Sequence, residues 1–372
     1  MHYHIILTEL CNSQCRYCYE KSLKEFDNGL DKKFKFDFSS PEKSEINVKK
    51  LKEFLQKDQN PIVIFYGGEP LLEIDKIVEI IDELEDTKVR FRMQTNGKLL
   101  NDLPFSYLKK IDKILISLDG NKERTDFQRG QGTFDLVNKN IHNLKQKGYN
   151  GEIIARMTLS KEFPDLYEQI LHLLNCGFTS IHWQIDAGFY KFDFNRDEFE
   201  KFVLKYNKSL SKLVDFWVKD MQDNNRVLKL YPLLAVAESF LKKQKELLRC
   251  GAGHSGYAIT TDGKVVACPI MNCIKDFEAG DLNSNPEDLK KFEIKGKCKK
   301  CNYLDLCGGR CLYWNSANLW PEEGDKLICK TIKNLIEEIK KKITIIKELI
   351  NQNIISLKDF EYEKYFGPEI IP

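Results

Sequence analysis

The sequence predicts an α/β protein, in which a partial (β/α)6 barrel of the TIM type is followed by a C-terminal cysteine-rich domain. Two observations lead to this prediction. Over the first 222 residues, six short apolar runs rich in β-branched residues alternate with segments of helical periodicity. Eight of the twelve cysteines then fall between Cys250 and Cys329. Alternating strands and helices with short connections favour a parallel sheet with right-handed crossovers, which can curl into a barrel.

The alternating elements indicate where functional residues should lie. The predicted strands cover residues 2–8, 61–67, 89–95, 113–120, 152–158 and 180–186. The predicted helices cover about 47–58, 73–86, 103–111, 132–148, 164–175 and 196–222. In folds of this kind the active site forms at the C-terminal ends of the strands, so the loops that follow the strands are the places to search.

The composition excludes several classes of function. Lys and Arg number 58 against 56 Asp and Glu, and the resulting net charge of +2 creates no strong field toward nucleic acid or membrane surfaces. The chain has no apolar run of the roughly 18 residues that a membrane helix needs. The opening MHYHIILTEL has neither the basic region nor the cleavage site of a signal peptide. We therefore expect a cytoplasmic protein without nucleic-acid or membrane partners.

Three cysteines stand directly after the first predicted strand. Cys11, Cys15 and Cys18 have the spacing C-x3-C-x2-C. Because a reducing cytoplasm disfavours disulfides, clustered thiols there are typical of metal or redox sites. A 4Fe–4S cluster usually has four cysteine ligands, and three would leave one iron open to another ligand. The alternatives are a structural zinc site, which normally uses two close cysteine pairs, and a group of core cysteines.

Three other predicted strands end in polar turns. Strand two runs into FYGGEP, which contains Gly67, Gly68 and Glu69, and the next two run into QTNG (94–97) and SLDG (117–120). Glycines allow a ligand to approach the backbone closely, and Glu69 offers an acceptor for an amine. Each motif alone is typical of an ordinary turn. Their shared position beside three cysteines favours a binding site.

Together these motifs resemble the radical S-adenosylmethionine (SAM) enzymes. That family carries C-x3-C-x2-C on the loop after the first strand of a partial barrel, with an aromatic residue before the last cysteine, and Tyr17 occupies that position here. The resemblance implies that the three cysteines bind a 4Fe–4S cluster. It also implies that the GGEP segment contacts SAM, with Glu69 holding the methionine amine.

Further cofactor contacts follow from the same resemblance. It implies that Tyr17 lies beside the adenine and that Ser117 of SLDG contacts the cofactor. Arg129 of TDFQRG resembles an arginine that binds carboxylates. The implied activity is reductive cleavage of SAM to methionine and a 5′-deoxyadenosyl radical, which abstracts a hydrogen from a substrate carbon. The sequence assigns no catalytic side chain beyond these cofactor contacts.

The C-terminal cysteines carry a second resemblance. Their pattern, C…G-x4-C…C-x2-C-x5-C-x3-C…C, is similar to the SPASM auxiliary-cluster domain, with Gly263 at the glycine position. The resemblance implies two further 4Fe–4S clusters, three in all. One would be held by Cys298, Cys301, Cys307 and Cys329, and the other by Cys250, Cys268 and Cys311, with Cys273 either its fourth ligand or a bystander. The alternative is zinc at the C-x2-C hairpin, since such hairpins also form zinc knuckles.

The combined patterns divide the chain into four parts. Residues 1–222 form the radical SAM partial barrel, 223–249 a helical linker, 250–330 the SPASM domain, and 331–372 a C-terminal helix and tail. Cys176, alone at a predicted helix end, is interpreted as a buried small hydrophobic residue. The long connection 19–46, rich in charges and phenylalanine, is either a lid or binding segment or a solvated flexible loop.

The resemblance is to the peptide-modifying (RiPP maturase-like) group, and the start YHIILTELCNSQCRYCYE resembles its archaeal members. It implies a peptide or protein substrate, an external low-potential electron donor, and a thioether or carbon–carbon cross-link as product. Because Cys11 lies so near the start, we expect substrate recognition to use the barrel, the auxiliary domain or a separate protein rather than an N-terminal extension.

Two alternatives stay open for the function. Anaerobic sulfatase-maturating enzymes, which oxidise Ser or Cys, have similar barrel motifs, including QTNG. Those enzymes carry an Asp base directly after the G-x4-C cysteine, whereas this chain has Pro269 there. The second alternative belongs to a different class: a zinc-stapled binding protein without catalytic activity.

Overall fold

Ten strands form one sheet in the computed structural model, which describes residues 1–18, 29–186 and 194–366. They are β1 (His2–Ile6), β2 (Ile62–Tyr66), β3 (Arg90–Thr95), β4 (Ile111–Ser117), β5 (Glu152–Leu159), β6 (Ser180–Ile185), β7 (Lys229–Leu230), β8 (Gly256–Ile259), β9 (Lys264–Val266) and β10 (Glu278–Asp281). Their order across the sheet is β10-β9-β8-β1-β2-β3-β4-β5-β6-β7. Strands β1 to β6 follow chain order and pair in parallel, which confirms the predicted partial barrel.

Alternating side chains give each strand two different faces. In β1, Tyr3 and Ile5 are fully buried in the main core, where the Tyr3 ring packs edge-on against Phe54 at 5.3 Å. His4 lies between them and therefore points to the opposite face, which is the barrel interior. Part of that interior is apolar and forms a separate cluster of Ile62, Ile64, Leu115, Ile154, Tyr231 and Phe366.

Eleven α-helices accompany the sheet in the described residues. They are α1 (Val48–Gln56), α2 (Ile74–Glu83), α3 (Phe105–Leu108), α4 (Lys122–Arg129), α5 (Thr133–Gln146), α6 (Leu166–Asn175), α7 (Arg196–Asn224), α8 (Tyr231–Lys242), α9 (Leu304–Cys307), α10 (Leu312–Ala317) and α11 (Glu322–Asn351). All six helices expected in the barrel are present. The third is a single turn, because Pro104 precedes it and β4 already begins at Ile111.

Helix α4 is absent from the sequence prediction. Its hydrophobic periodicity is weak because six of its eight residues are charged or amide side chains. The start signal is nevertheless present, since the Asn121 side chain accepts a hydrogen bond from the backbone of Arg124, as an N-cap residue does. This helix proves important because it supports the loop that holds the first three cysteines.

The cysteine-rich segment begins inside the same sheet. Strand β8 pairs in parallel with β1, with Tyr257 opposite Tyr3, and β9 and β10 extend the edge in antiparallel fashion. This pairing places Cys250 and Cys268, which flank β8 and β9, beside the strand that leads into Cys11. At the other end of this segment, α11 begins at Glu322 and packs along α7, and it carries Cys329 in its second turn.

Residues 361–366 cross the N-terminal end of the barrel. The Glu363 carboxylate accepts hydrogen bonds from Nε and Nη2 of Arg92 on β3, each at 3.1 Å, and pairs with Lys113 on β4 at 3.2 Å. Phe366 is 2% exposed and completes the apolar interior cluster. The tail therefore closes this end of the barrel and leaves the C-terminal ends of the strands as the open side. No helix in the described ranges is both long and apolar enough to cross a membrane.

Candidate active site

The loop that follows β1, residues 11–18, is called the cysteine loop below. Cys11 is exposed, and Cys15 and Cys18 are half-buried. Partial burial, with smaller contributions from Glu69 and the two neighbouring thiols, raises the pKa of Cys11 to about 11. Among the described residues, no three His, Cys, Asp or Glu side chains are already arranged around a metal position. Binding an iron–sulfur cluster requires the thiols to release their protons.

The GGEP segment packs directly under the cysteine loop. Gly68 N–H donates to the Thr8 carbonyl at 2.8 Å, and Glu69 N–H donates to the Leu10 carbonyl at 2.9 Å. A Cβ atom would lie 2.3 Å from Thr8 O at Gly67 and 2.3 Å from Leu10 O at Gly68. The close approach that these glycines allow is thus to the chain's own backbone, which holds the start of the cysteine loop.

Glu69 is fully buried behind this contact. Its Oε1 accepts hydrogen bonds from Thr95 Oγ1 at 2.6 Å and from the Leu71 backbone at 3.1 Å, and its Oε2 accepts one from the Asn96 backbone at 2.7 Å. Burial raises the pKa of Glu69, although these three hydrogen bonds oppose the rise. Three of the roughly four acceptor positions of the carboxylate are occupied, so one remains on Oε2.

Asn96 of QTNG joins the third strand to the cysteine loop. Its side-chain Nδ2 donates to Asn12 Oδ1 at 2.7 Å and lies 3.9 Å from Cys11 Sγ. Its own backbone is anchored on Glu69. The two turn motifs are therefore one hydrogen-bonded unit beside Cys11.

Asp119 of SLDG connects most of the remaining predicted site residues. It is fully buried and accepts hydrogen bonds from Arg129 Nε at 2.7 Å and Arg129 Nη2 at 3.1 Å. It also accepts one from the Tyr17 hydroxyl and one from the Thr158 backbone at 2.9 Å. The sequence placed SLDG among the binding-site motifs but gave a cofactor contact to Ser117 and no role to Asp119, because an Asp before Gly is ordinary in turns. Its buried position could not be read from the motif.

Arg129 reaches the cysteine loop from the end of α4. Its guanidinium lies 5.3 Å from the Tyr17 ring centroid, and its Nη1 lies 3.9 Å from Cys15 Sγ. Burial lowers the pKa of Arg129, but Asp119, Tyr17 and Cys15 together outweigh burial and raise the pKa, so the group stays charged. Burial likewise raises the pKa of Tyr17. Both side chains are therefore held in fixed charge states next to the cysteines.

The same helix clamps the loop a second time. Arg16 N–H donates to the Gln128 carbonyl at 3.0 Å, and Arg16 Nε donates to the Phe127 carbonyl at 2.9 Å. The Arg16 guanidinium lies 4.0 Å from the Phe127 ring centroid. Ser117, the remaining predicted cofactor contact, is the half-buried last residue of β4, in register with Arg156 of β5.

The first group of C-terminal cysteines faces the barrel. Cys250, Cys268 and Cys311 line one pocket together with interior residues from four barrel strands: His4, Tyr66, Gln94 and Arg156. Arg156 is anchored across this pocket by Gln94 Oε1 at 3.3 Å and Gln184 Oε1 at 2.7 Å. The three cysteines that the sequence grouped together are therefore brought together at the barrel opening, which we call the barrel pocket.

The second group lies further out, between the short helix α9 and α11. Burial raises the pKa of Cys298, and the Cys329 and Cys301 thiols add to this rise. Burial raises the pKa of Cys307 to about 11, with Cys329 again contributing. Cys298, Cys301, Cys307 and Cys329 are thus electrostatic neighbours.

Two isolated cysteines behave differently from one another. Cys273 is 8% exposed, and burial raises its pKa to about 12. It is not among the described residues that line the barrel pocket. The prediction that Cys176 is buried is wrong. Cys176 is exposed at the C-terminus of α6, where its sulfur lies 3.6 Å from His172 Nε2, because the helix ends at Asn175 and leaves the next position outside the core.

The connection after the cysteine loop reaches the C-terminal region. Residues 19–28 of the predicted lid lie outside the described residues. In the following part, Asp37 N–H donates to the Cys273 carbonyl at 2.9 Å, and Lys33 Nζ donates to the Ala317 carbonyl at 2.5 Å. Residues 29–46 therefore strap the barrel to the cysteine-rich segment.

Comparison with known proteins decides the family. The model of the Radical SAM superfamily matches residues 5–174. The chain carries a radical SAM domain. Radical SAM domains use a 4Fe–4S cluster and SAM, so this match supports iron–sulfur over zinc at the cysteine loop.

Relatives of this radical SAM enzyme extend the likeness beyond the barrel. It is 26% identical over 333 residues to a cysteine-type anaerobic sulfatase-maturating enzyme of Clostridium perfringens (strain 13), covering 81% of this chain and 85% of the relative. It is 23% identical over 348 residues to the mycofactocin maturase MftC of Mycolicibacterium smegmatis, covering 82% of this chain and 76% of that relative. The solved structure of native anSMEcpe with bound AdoMet has a TM-score of 0.70 at 18% identity, covering 94% of this chain and 99% of that one. The likeness to this solved structure shows that the two chains share a fold.

The residues of the radical SAM enzyme fit the cofactors of its family. Three thiols lie on one short loop, and two N–H donors, Asn96 Nδ2 and Arg129 Nη1, lie 3.9 Å from the sulfurs of Cys11 and Cys15. Such donors stabilise the sulfur ligands of iron–sulfur clusters and tune their potentials. The free acceptor position of Glu69 lies beneath the same loop.

Proposed function

We propose that this radical SAM enzyme modifies a residue of a peptide or protein substrate, and that its product is a thioether or a carbon–carbon cross-link. The observation that carries the proposal is the barrel pocket, in which Cys250, Cys268 and Cys311 meet interior side chains of the barrel. A substrate residue that enters from the open side would lie between the radical source and a second redox-active group. A cytoplasmic location is part of the proposal, because a reducing compartment favours clustered cysteines as metal ligands over disulfides.

The cysteine loop would hold the cofactors of the first step. Cys11, Cys15 and Cys18 would bind the 4Fe–4S cluster, leaving one iron for the amino and carboxylate groups of SAM. When bound, this pair supplies a one-electron cleavage that yields methionine and a 5′-deoxyadenosyl radical capable of abstracting hydrogen. The open acceptor position of Glu69 would receive the methionine amine, and Arg129 Nη1 would be available to a carboxylate, since Nε and Nη2 are engaged by Asp119.

The auxiliary cysteines would serve the second step. Cross-linking removes two hydrogens from the substrate: one goes to the 5′-deoxyadenosyl radical, and the other leaves as a proton and an electron. Cys250, Cys268 and Cys311 would hold a cluster at the barrel pocket, and Cys298, Cys301, Cys307 and Cys329 a second one further out. The electron would leave by this route to an external one-electron carrier. The position of Cys273 outside the described pocket lining supports an open iron that could bind a substrate thiolate.

A second candidate function is oxidation of Ser or Cys in a sulfatase. The alignment with the Clostridium perfringens sulfatase-maturating enzyme, over 85% of its length, favours this candidate. Pro269, however, stands where those enzymes place an Asp base, and it lines the barrel pocket. None of the described residues lining the pocket is a carboxylate. For this reason we rank cross-linking first.

One experiment separates the two candidates. The anaerobically reconstituted enzyme is incubated with SAM, a reductant and Cys-containing peptides encoded beside its gene, and the products are analysed by mass spectrometry. We expect loss of two hydrogens with the sulfur retained, and a thiol that no longer reacts with an alkylating agent if a thioether forms. Loss of the sulfur with formation of an aldehyde would establish the second candidate. Intact peptides together with rapid SAM cleavage would point to a different substrate class.

A further inference from the structure

Arg310 lies in an unusual turn between two of the predicted cluster ligands. Gly308, Gly309 and Arg310 have φ values of 72°, 89° and 62°, a left-handed conformation that is uncommon for a side chain such as Arg. A Cβ on Gly309 would lie 2.6 Å from Ile294 Cδ1, and one on Gly308 would lie 3.0 Å from the Leu248 nitrogen. The turn is therefore confined on both sides, and this confinement fixes the direction of the Arg310 side chain.

The Arg310 side chain is buried and only partly satisfied. The residue is 3% exposed, its Nη2 donates to Asp325 Oδ1 at 2.7 Å, and its guanidinium lies 4.9 Å from the Trp314 ring centroid. Its Nη1 is buried and has no hydrogen-bond partner among the described residues. A buried donor without an acceptor costs about 1–3 kcal/mol, so its persistence calls for an explanation.

The acceptor that Nη1 lacks can be supplied in the adjoining cavity. Arg310, Lys297, Asp325 and Cys298 line a cavity of about 500 Å³. Burial raises the pKa of Cys307 and of Cys329, and the nearby Arg310 charge opposes both rises. The guanidinium therefore lies within electrostatic reach of Cys298, Cys307 and Cys329, three of the four outer cysteines.

We propose that Arg310 is a positioning residue whose Nη1 donates a hydrogen bond to a sulfur of the cluster at Cys298, Cys301, Cys307 and Cys329, and that it raises the reduction potential of this cluster. The inference rests on the proposed function, which supplies the auxiliary cluster. One electron added to the cluster adds one negative charge, and a permanently charged guanidinium stabilises that charge. Asp325, which binds Arg310, Trp314 and Lys297, holds the guanidinium and partly offsets its field.

The test is a redox titration of the anaerobic, reconstituted full-length enzyme, followed by electron paramagnetic resonance. Arg310→Gln removes the charge and is expected to lower the affinity of one auxiliary cluster for an electron about tenfold, which is about 59 mV for a one-electron couple. Arg310→Lys retains the charge and should recover part of the shift. Asp325→Asn is expected to move the potential in the opposite direction. Lys295→Gln is the matched control, because this exposed lysine lines the same cavity and should shift the potential far less.

The results distinguish a failure of the Arg310 inference from a failure of the proposed function. If the wild-type protein binds only about four irons, it holds no auxiliary clusters, and Arg310 then has no cluster to act on. Full iron loading with an Arg310→Gln potential equal to that of Lys295→Gln would overturn the inference alone. If Arg310→Gln loses its auxiliary irons, Asp325→Asn decides: a higher potential supports the inference, and an unchanged or lower one rejects it.

Discussion

Arg129 and Asp119 form a buried bidentate ion pair, with Nε–Oδ2 at 2.7 Å and Nη2–Oδ1 at 3.1 Å, between the cysteine loop and the barrel. Asp119 also binds the Tyr17 hydroxyl, and Arg129 reaches Cys15. This pair therefore fixes the loop that carries the three N-terminal cysteines in position relative to β4 and α4.

Asp119→Asn tests that relationship. The amide cannot match both donors of Arg129, and breaking a buried pair in this way costs about 3 kcal/mol. We expect a less stable protein that incorporates less of the N-terminal cluster and cleaves SAM more slowly. Iron content and 5′-deoxyadenosine formation are the measurements. Asp135→Asn, at an exposed ion pair with Lys122, is the control, and equal losses in both variants would contradict the assignment.

Gly68→Ala tests the contact between GGEP and the cysteine loop. The added Cβ would lie 2.3 Å from Leu10 O, so the loop has to shift. Overpacking of this kind costs about 1–3 kcal/mol, and we expect SAM cleavage to fall sharply because the cysteines move with the loop. Gly148→Ala has open space around its Cβ but a strained φ of 86°, so it serves as the comparison for destabilisation without a clash at the cysteine loop. A Gly68→Ala enzyme with wild-type cleavage would show that the loop tolerates displacement.

Glu69→Gln tests the proposed role in cofactor binding. The side chain keeps its shape, but one of the oxygens that accept the three hydrogen bonds becomes an NH2 group. A donor left without its acceptor lowers the stability of the fold by about 1–3 kcal/mol. If Glu69 also receives the methionine amine, SAM affinity should fall while the irons are retained. Equilibrium binding of SAM to the anaerobic enzyme gives the answer. Unchanged affinity would mean that GGEP serves only as support for the cysteine loop.

Glu363→Gln tests the closure of the barrel by the C-terminal tail. Burial alone would raise the pKa of Glu363, but the His2 hydrogen bond and the charges of Arg92 and Lys113 outweigh burial and lower it to about 2. A folded-state pKa below the unfolded value of 4.5 stabilises the fold above that pH, and this contribution is lost as the pH falls toward 2. The variant should therefore lose about 3 kcal/mol near neutral pH.

The pH dependence provides the check on this tail contact. Urea unfolding of metal-free wild type and variant should show a large difference in stability at neutral pH and a shrinking one as the pH falls below 4.5. Glu361→Gln, two residues earlier and 61% exposed, should change little at any pH. A Glu363→Gln effect that is independent of pH would indicate a loss of packing rather than of charge.

The sequence was sufficient for the barrel and insufficient for the contacts inside it. The six parallel strands were predictable because β-branched runs and helical periodicity alternate clearly. Strands β8 to β10 were not, since they have only three or four residues each among glycine turns, and their order depends on pairing with the distant β1. Asp119 and Arg310 became visible only in three dimensions, because burial and unsatisfied donors are not properties of a motif. The failed prediction for Cys176 has the same origin, since composition cannot distinguish the two sides of a helix end.

Cys11, Cys15 and Cys18 are expected to bind the cluster that cleaves SAM. The most direct measurement compares wild type with the triple Cys11/Cys15/Cys18→Ala variant, counting irons and 5′-deoxyadenosine after anaerobic reconstitution. We predict about twelve irons in the wild type, if all three clusters form, and about four fewer in the variant, with SAM cleavage abolished. Cleavage of SAM by the variant at the wild-type rate would show that these three cysteines do not bind the cluster that cleaves SAM.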